Sequence, residues 1–211
     1  MLKAPPALVV LAAMCWYGFH DYLLPPRVGI DWEAKRAAYA AAGVVVLEQA
    51  FDGKWLELLR RGISHDLRNP SPRTVRHTPS SAPAHYFEGF WVWSDVPEIG
   101  SFVRESPAAE LARQLLGARE RVNLIMDNWF VREAGCGGRP PWHHDVSYFD
   151  FNGSMTVLWL PLDDCPAGSG LSFVRGSHRW GKHFMRVGFG GQGQHSPGVV
   201  IDPTQNVTVN G

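Results

Sequence analysis

The sequence predicts a mostly β fold preceded by α-helices, an antiparallel barrel or sandwich, and three observations carry that expectation. Short apolar segments at 122–131, 155–162 and 171–174 are separated by Gly- and Pro-rich turns with no helical pattern between them. Upstream, 31–42 and 51–59 carry helix caps and helical periodicity instead. Of the 211 residues, 45% are hydrophobic and 12% aromatic, enough for one well-filled core and too much for a disordered chain.

Charge and cysteine usage narrow the partners. Twenty Lys plus Arg balance twenty Asp plus Glu, so no basic excess points to nucleic acid and no acidic tail points to a solvating segment. The expected partner is a small molecule. Three cysteines, Cys15, Cys136 and Cys165, form no CxxC pair, which fits neither a disulfide framework nor a thiolate zinc site and suggests a reducing, cytoplasmic setting. Residues 1–30 stand apart from the 31–211 domain. After Lys3 comes an apolar run from Ala7 to Phe19, the length of a signal-peptide core and too short to span a bilayer. Pro5 and Pro6 before the run, and the lack of a small-x-small cleavage site after it, favour a packed extension. Export or anchoring through residues 1–24 is the alternative, and the barrel itself requires no membrane.

From residue 31 the elements follow in order. Asp31 caps an Ala-rich helix reaching Ala42, Gly43 closes it, and Val44-Val45-Val46-Leu47 reads as a buried strand. Asp52 caps a second helix through Leu59, with Trp55, Leu58 and Leu59 on one face. Residues 64–86, with Pro70, Pro72, Pro79 and Pro83, read as a long loop. Arg68, Arg73, Arg76, His77 and His85 in it are candidates for meeting an anionic substrate, a solvated loop being the more ordinary reading. Residues 87–93 alternate loosely and either line a pocket or pack. A short helix from Pro107 to Leu116 has Ser106 at its cap position.

Into the connection after the 122–131 strand falls Trp142-His143-His144-Asp145. On extended backbone alternate side chains share a face, so His143 and Asp145 converge on one point while His144 diverges. One imidazole and one carboxylate are two members of the facial triad that holds non-haem Fe(II) and leaves positions open for cosubstrate and oxygen. An HxD triplet alone is weak evidence, since a surface histidine bonded to a nearby aspartate gives the same pattern.

Context supplies the rest: Tyr148, then Val157-Leu158-Trp159-Leu160-Pro161-Leu162-Asp163-Asp164, then Gly168-Ser169-Gly170-Leu171-Ser172-Phe173-Val174-Arg175-Gly176-Ser177-His178-Arg179-Trp180-Gly181. With Trp142-His143-His144-Asp145, this series resembles the phytanoyl-CoA dioxygenase family, whose barrel carries WHxD, a tryptophan-containing strand ending in LDD, and a GxLxxxPGSHxxG segment. The resemblance extends over about residues 31–185. It implies a double-stranded β-helix (jelly-roll, cupin-like) that uses Fe(II), 2-oxoglutarate and O2 to hydroxylate a small molecule or acyl derivative, with 2-oxoglutarate decarboxylated to succinate. It further implies His143 and Asp145 as iron ligands and catalytic residues, and His144 and Trp159 as residues beside the cosubstrate, His144 standing where many members have glutamine. Halogenases related to the family lack the carboxylate that Asp145 keeps, so hydroxylation is expected. Arg175 replaces the usual proline, and His178 is expected to be structural.

One departure is larger. The family's distal histidine, and the arginine beyond it that pairs with 2-oxoglutarate, do not follow Gly181 in the expected pattern, so the sequence reads as a barrel truncated at its carboxyl end. His183 and His195 are weak substitutes for a third ligand. A non-catalytic binding or interaction protein on the same barrel is the alternative function. A zinc hydrolase using His143, His144 and Asp145 is disfavoured because adjacent side chains diverge, and a Cys-His enzyme because Cys136 and Cys165 sit in glycine- and proline-rich turns.

Overall fold

The computed structural model describes residues 7–14, 29–119, 122–137, 142–149, 153–165, 170–184 and 200–201, with backbone alone for 7–14, 183 and 200–201. Its first strand, β1 (Ala7–Met14), lies in the apolar amino-terminal run. Helix α1 (Trp32–Ala42) begins where expected, because Asp31 accepts a hydrogen bond from the Ala34 N–H at 3.0 Å and so satisfies an otherwise orphaned donor. It ends at Gly43, whose left-handed conformation (φ +81°) turns its N–H back onto the Tyr39 carbonyl at 2.7 Å.

Helix α2 (Gly53–Arg68) runs well beyond Leu59, because nothing breaks it before Pro70, and it buries Leu59, Ile63 and Asp66. Gly62 lets α3 (Pro97–Glu105) approach closely: a Cβ there would stand 3.0 Å from Ile99 Cγ1. Helix α3 is absent from the sequence-based expectation, although Pro97 at its first turn and buried Ile99 and Phe102 are ordinary helix signals. Helix α4 (Ala108–Leu116) follows Ser106, whose hydroxyl accepts from the Ala108 N–H at 3.3 Å.

The strands β2 (Thr74–Arg76), β3 (Tyr86–Phe90), β4 (Asn123–Arg132) and β5 (Met155–Pro161) complete a five-stranded antiparallel sheet in the order β2-β3-β4-β1-β5. β1 pairs on both sides, with Val10 opposite Asn128 of β4 and opposite Trp159 of β5. The proline-rich stretch 64–86 therefore holds the end of α2, all of β2 and the start of β3 and is not one loop. A separate two-stranded pair joins β6 (His183–Phe184) to β7 (Val200–Ile201).

One face of the sheet is covered by helices. Trp129 and Val131 of β4 are buried there with Leu59 and Ile63 of α2, Ile99 and Phe102 of α3, Val92, Val96, Ala108 and Leu162, and Leu158 and Leu160 of β5 pack against them. Phe102 is sandwiched by Phe51 and Trp55, at centroid distances of 5.3 and 5.8 Å. Burying side chains of this size contributes roughly 1.5–3 kcal/mol each, so this face holds most of the fold's stability. Asp66, fully buried, accepts from Trp129 Nε1 at 3.0 Å, from the Ser71 N–H at 2.8 Å and from the Thr74 hydroxyl at 2.6 Å, tying α2 to the sheet.

Two expected strands do not form. Val44–47 is irregular: Val46 is 70% exposed and its carbonyl accepts from Lys35 Nζ at 2.8 Å. Strand propensity depends on context, and this run pairs with no strand among the described residues. Residues 171–174 are likewise irregular, with Leu171, Phe173 and Val174 exposed. The turn that follows docks on α1: the Gly176 N–H donates to the Ala42 carbonyl at 2.8 Å, and His178 Nε2 to the Ala40 carbonyl at 3.0 Å. Among the described residues no helix is long and apolar enough to cross a membrane.

Candidate functional site

β4 ends at Arg132 and the chain turns through Gly135, whose φ of +89° suits glycine. After Gly137 the next described residue is Trp142, exposed to solvent. His144 keeps extended backbone (φ −128°, ψ 137°), and at Asp145 the chain winds into a 3-10 turn, Asp145–Tyr148. The sequence predicts extended backbone through Asp145; the turn replaces it from Asp145 onward, and His143 Nε2 and Asp145 Oδ1 lie 3.3 Å apart. The edge of the His143 ring meets Tyr148, with centroids 5.7 Å apart.

His144 is directed elsewhere. Its Nε2 accepts from the Phe184 N–H at 2.8 Å, which leaves the ring proton on Nδ1 in the neutral form, and its ring stacks edge-on against Phe184 at 5.2 Å. Ser147 Oγ donates to the Phe184 carbonyl at 2.5 Å. Both backbone groups of Phe184 are thus used to pin the 3-10 turn to β6, and the turn in turn sets the relation of Asp145 to His143.

The His143–Asp145 pair fits a metal as two neighbouring donors. With metal–donor bonds of about 2.1 Å, a separation of 3.3 Å subtends about 100° at the ion, near the right angle between adjacent positions of an octahedral site. Both side chains are part-exposed, 27% for His143 and 46% for Asp145, so a ligand can reach them. Among the described residues no group of three or more His, Cys, Asp or Glu gathers to hold a metal. His178 is engaged with α1, as expected of a structural residue; His195 and the His183 side chain lie outside the described residues.

Trp159 lies on β5 between Leu158 and Leu160, which both face the helices, so its own side chain faces the other way. Its Nε1 is buried and has no hydrogen-bond partner among the described residues. The same face, free of helices among the described residues, carries a polar cluster that sequence reasoning missed. Asn128 Nδ2 donates to Glu88 Oε1 at 2.9 Å, and Glu88 Oε2 meets His77 Nε2 at 2.6 Å. His77 stacks on Tyr86 at 4.8 Å, and the Arg132 guanidinium lies over the Tyr86 ring, 4.6 Å from its centroid. Burial, with the neighbouring Glu88 carboxylate adding to it, raises the Tyr86 phenol well above its ordinary value. The signal was the pair Asp127-Asn128 inside an apolar strand.

Three of the five candidates for meeting an anionic substrate have partners within the fold. Arg73 is paired with Asp95 at 2.6 Å, His77 with Glu88, and His85 Nδ1 with the Thr78 hydroxyl at 3.1 Å. On the helix face, Asp127 accepts from the Val92 N–H at 3.1 Å, and burial raises its carboxyl to about 6 against the opposing pull of the Trp93 and Val92 backbone donors.

A family model described as phytanoyl-CoA dioxygenase (PhyH) matches residues 39–201, a span that includes α2, the strands β2, β3, β4 and β5 of the helix-backed sheet, and the His143–Asp145 turn. No curated protein and no solved structure matches the chain.

Proposed function

The chain belongs to the phytanoyl-CoA dioxygenase family, and from that premise we propose that it is an Fe(II)- and 2-oxoglutarate-dependent dioxygenase that hydroxylates a small molecule or acyl derivative. The observation that carries the reading is the His143 Nε2–Asp145 Oδ1 approach of 3.3 Å inside the matched span, with His144 turned away from it. On this reading the helix-backed sheet is one wall of a jelly-roll barrel whose helix-free face lines the site.

His143 and Asp145 would hold the metal. When bound, Fe(II) with 2-oxoglutarate and O2 supplies the oxidising chemistry, and decarboxylation to succinate accompanies hydroxylation of the substrate. The chain's own residues bind and orient. Neutral His144, fixed by Phe184, holds the 3-10 turn so that the Asp145 carboxylate stays beside the His143 ring. Trp159 Nε1, a buried donor, suits a carboxylate oxygen of the cosubstrate. Asp145 keeps the coordination position that a halide would otherwise take, which favours hydroxylation.

The test separates ligands from their support. His143→Ala and Asp145→Ala are each expected to abolish Fe(II)-dependent succinate formation and to weaken Fe(II) binding, measured by chelator competition, by at least about tenfold. His144→Ala is expected to weaken binding less, because it loosens the turn without removing a donor. Loss of iron from His144→Ala as complete as from His143→Ala would shift the ligand assignment.

A further inference from the structure

A buried hydrogen-bonding group without a partner is destabilising, and native proteins keep few of them without a reason. Asn128 is such a case. Its residue is 7% exposed, its Nδ2 is spent on Glu88, and its Oδ1 has no partner among the described residues. The amide cannot be turned over to relieve this, because the carbonyl oxygen would then face the Glu88 carboxylate, acceptor against acceptor. Glu88 is itself fixed from its far side by His77 at 2.6 Å, so β3, β4 and the residue that follows β2 hold one carbonyl oxygen in place.

Register gives its direction. Asn128 is on the face opposite Trp129, whose indole reaches Asp66 of α2, so Oδ1 belongs to the helix-free side. Val10 of β1 pairs with both Asn128 and Trp159, which puts the two residues on one face, two inter-strand spacings or about 10 Å apart along the sheet. That face therefore offers a buried unpartnered acceptor at one point and a buried unpartnered donor at another.

We propose that Asn128 Oδ1 is the recognition point for a hydrogen-bond donor on the primary substrate, an ammonium or a hydroxyl, with Glu88 and His77 as its positioning residues. The inference rests on the oxygenase reading only for the identity of the ligand as substrate. Trp159 Nε1 then serves the cosubstrate's carboxylate, and Asn128 selects the molecule to be oxidised. A substrate whose polar end offers only acceptors, such as a free carboxylate, is disfavoured at Asn128.

Three probes of equal chain length test this: pentylammonium, 1-pentanol and pentanoate, titrated at pH 8 by ligand-observed NMR. The full chain is expected to bind pentylammonium and pentanol about tenfold more tightly than pentanoate. Asn128→Leu is expected to erase that ratio. Glu88→Gln, a milder change, is expected to reduce it severalfold for pentylammonium and less for pentanol, which separates an ammonium site from a hydroxyl site. Circular dichroism checks that each variant is folded. Equal binding of the three probes by the unmodified chain, or a preference that survives Asn128→Leu, overturns the proposal. Absence of oxygen-dependent succinate formation with the probe preference intact would instead sink the oxygenase reading and leave the donor site standing.

Discussion

Gly89→Ala tests how the sheet is fastened to its helices. Gly89 of β3 pairs directly with Trp129 of β4, and a Cβ at 89 would overlap Trp129 Nε1 and Cε2 and stand 2.9 Å from Cζ2. The ring cannot move aside freely, because Trp129 is 1% exposed and its Nε1 is bonded to buried Asp66 at 3.0 Å. Overpacking a filled core destabilises by about 1–3 kcal/mol. Displacing the indole also leaves the Asp66 carboxylate and the indole N–H without each other, which costs about 1–3 kcal/mol more. The expected loss is about 2–6 kcal/mol, a large part of the total stability of an ordinary domain. Urea denaturation followed by far-UV circular dichroism measures it. Gly53→Ala, where a Cβ meets nothing within 4 Å, is the control and should be neutral or stabilising by up to about 1 kcal/mol. In the double variant Gly89→Ala, Trp129→Leu, the losses should fall short of the sum, since the clash needs both side chains. A Gly89→Ala protein within about 1 kcal/mol of the parent would refute the packing argument.

Three further outcomes follow from particular contacts. The Asp127 carboxyl is raised to about 6 from 3.8, so the folded state holds a proton that the unfolded state releases, and stability should be full below about pH 4 and fall as pH rises through about 6. Asp127→Asn should flatten that fall, read from denaturation midpoints at pH 4.5 and 7.5; an unchanged pH dependence would count against it. His178→Ala removes the 3.0 Å bond to the Ala40 carbonyl and should cost about 1 kcal/mol of stability, with Fe(II) affinity unaltered; lost metal binding would make His178 a ligand. Ser147→Ala frees the Phe184 carbonyl from the 3-10 turn and should weaken Fe(II) binding by less than Asp145→Ala does, checked by the same chelator competition.

What was legible in the sequence was local. Asp31 and Gly43 announce the two ends of α1, and the Trp142-His143-His144-Asp145 spacing announces a pair of convergent donors, because caps and turns are decided within a few residues. Leu59 misled as an end for α2, since amphipathic periodicity fades where Gly62 and Asp66 enter, yet both are buried in contacts that only α3 and β4 explain. The Val44-Val45-Val46 run has strand propensity but no partner, and pairing is settled by competition among distant segments. Asn128 and Glu88 are 40 residues apart, and Glu88 of β3 is 11 from His77, which follows β2. No window of sequence contains that cluster, which exists only through the register of β2, β3 and β4.

β4 shows why a single strand can serve stability and recognition without conflict. Successive side chains alternate between faces: Asp127, Trp129 and Val131 go to the helix side, where all three are almost fully buried, and Asn128, Phe130 and Arg132 to the other. Substitutions on the first set act on packing shared with α2 and α3, so their effects should appear as lost folding free energy. Those on the second set meet Glu88, Tyr86 and the face that carries Trp159, so their effects should appear in ligand preference at nearly constant stability. The division also bears on the His143–Asp145 pair proposed to hold the metal, which follows β4 in the chain: a helix-side change is expected to reach that pair only through lost folding free energy, whereas a change on the open face alters what can lie on the side that carries Trp159. Measuring both quantities on the same variants therefore separates a damaged fold from a changed site.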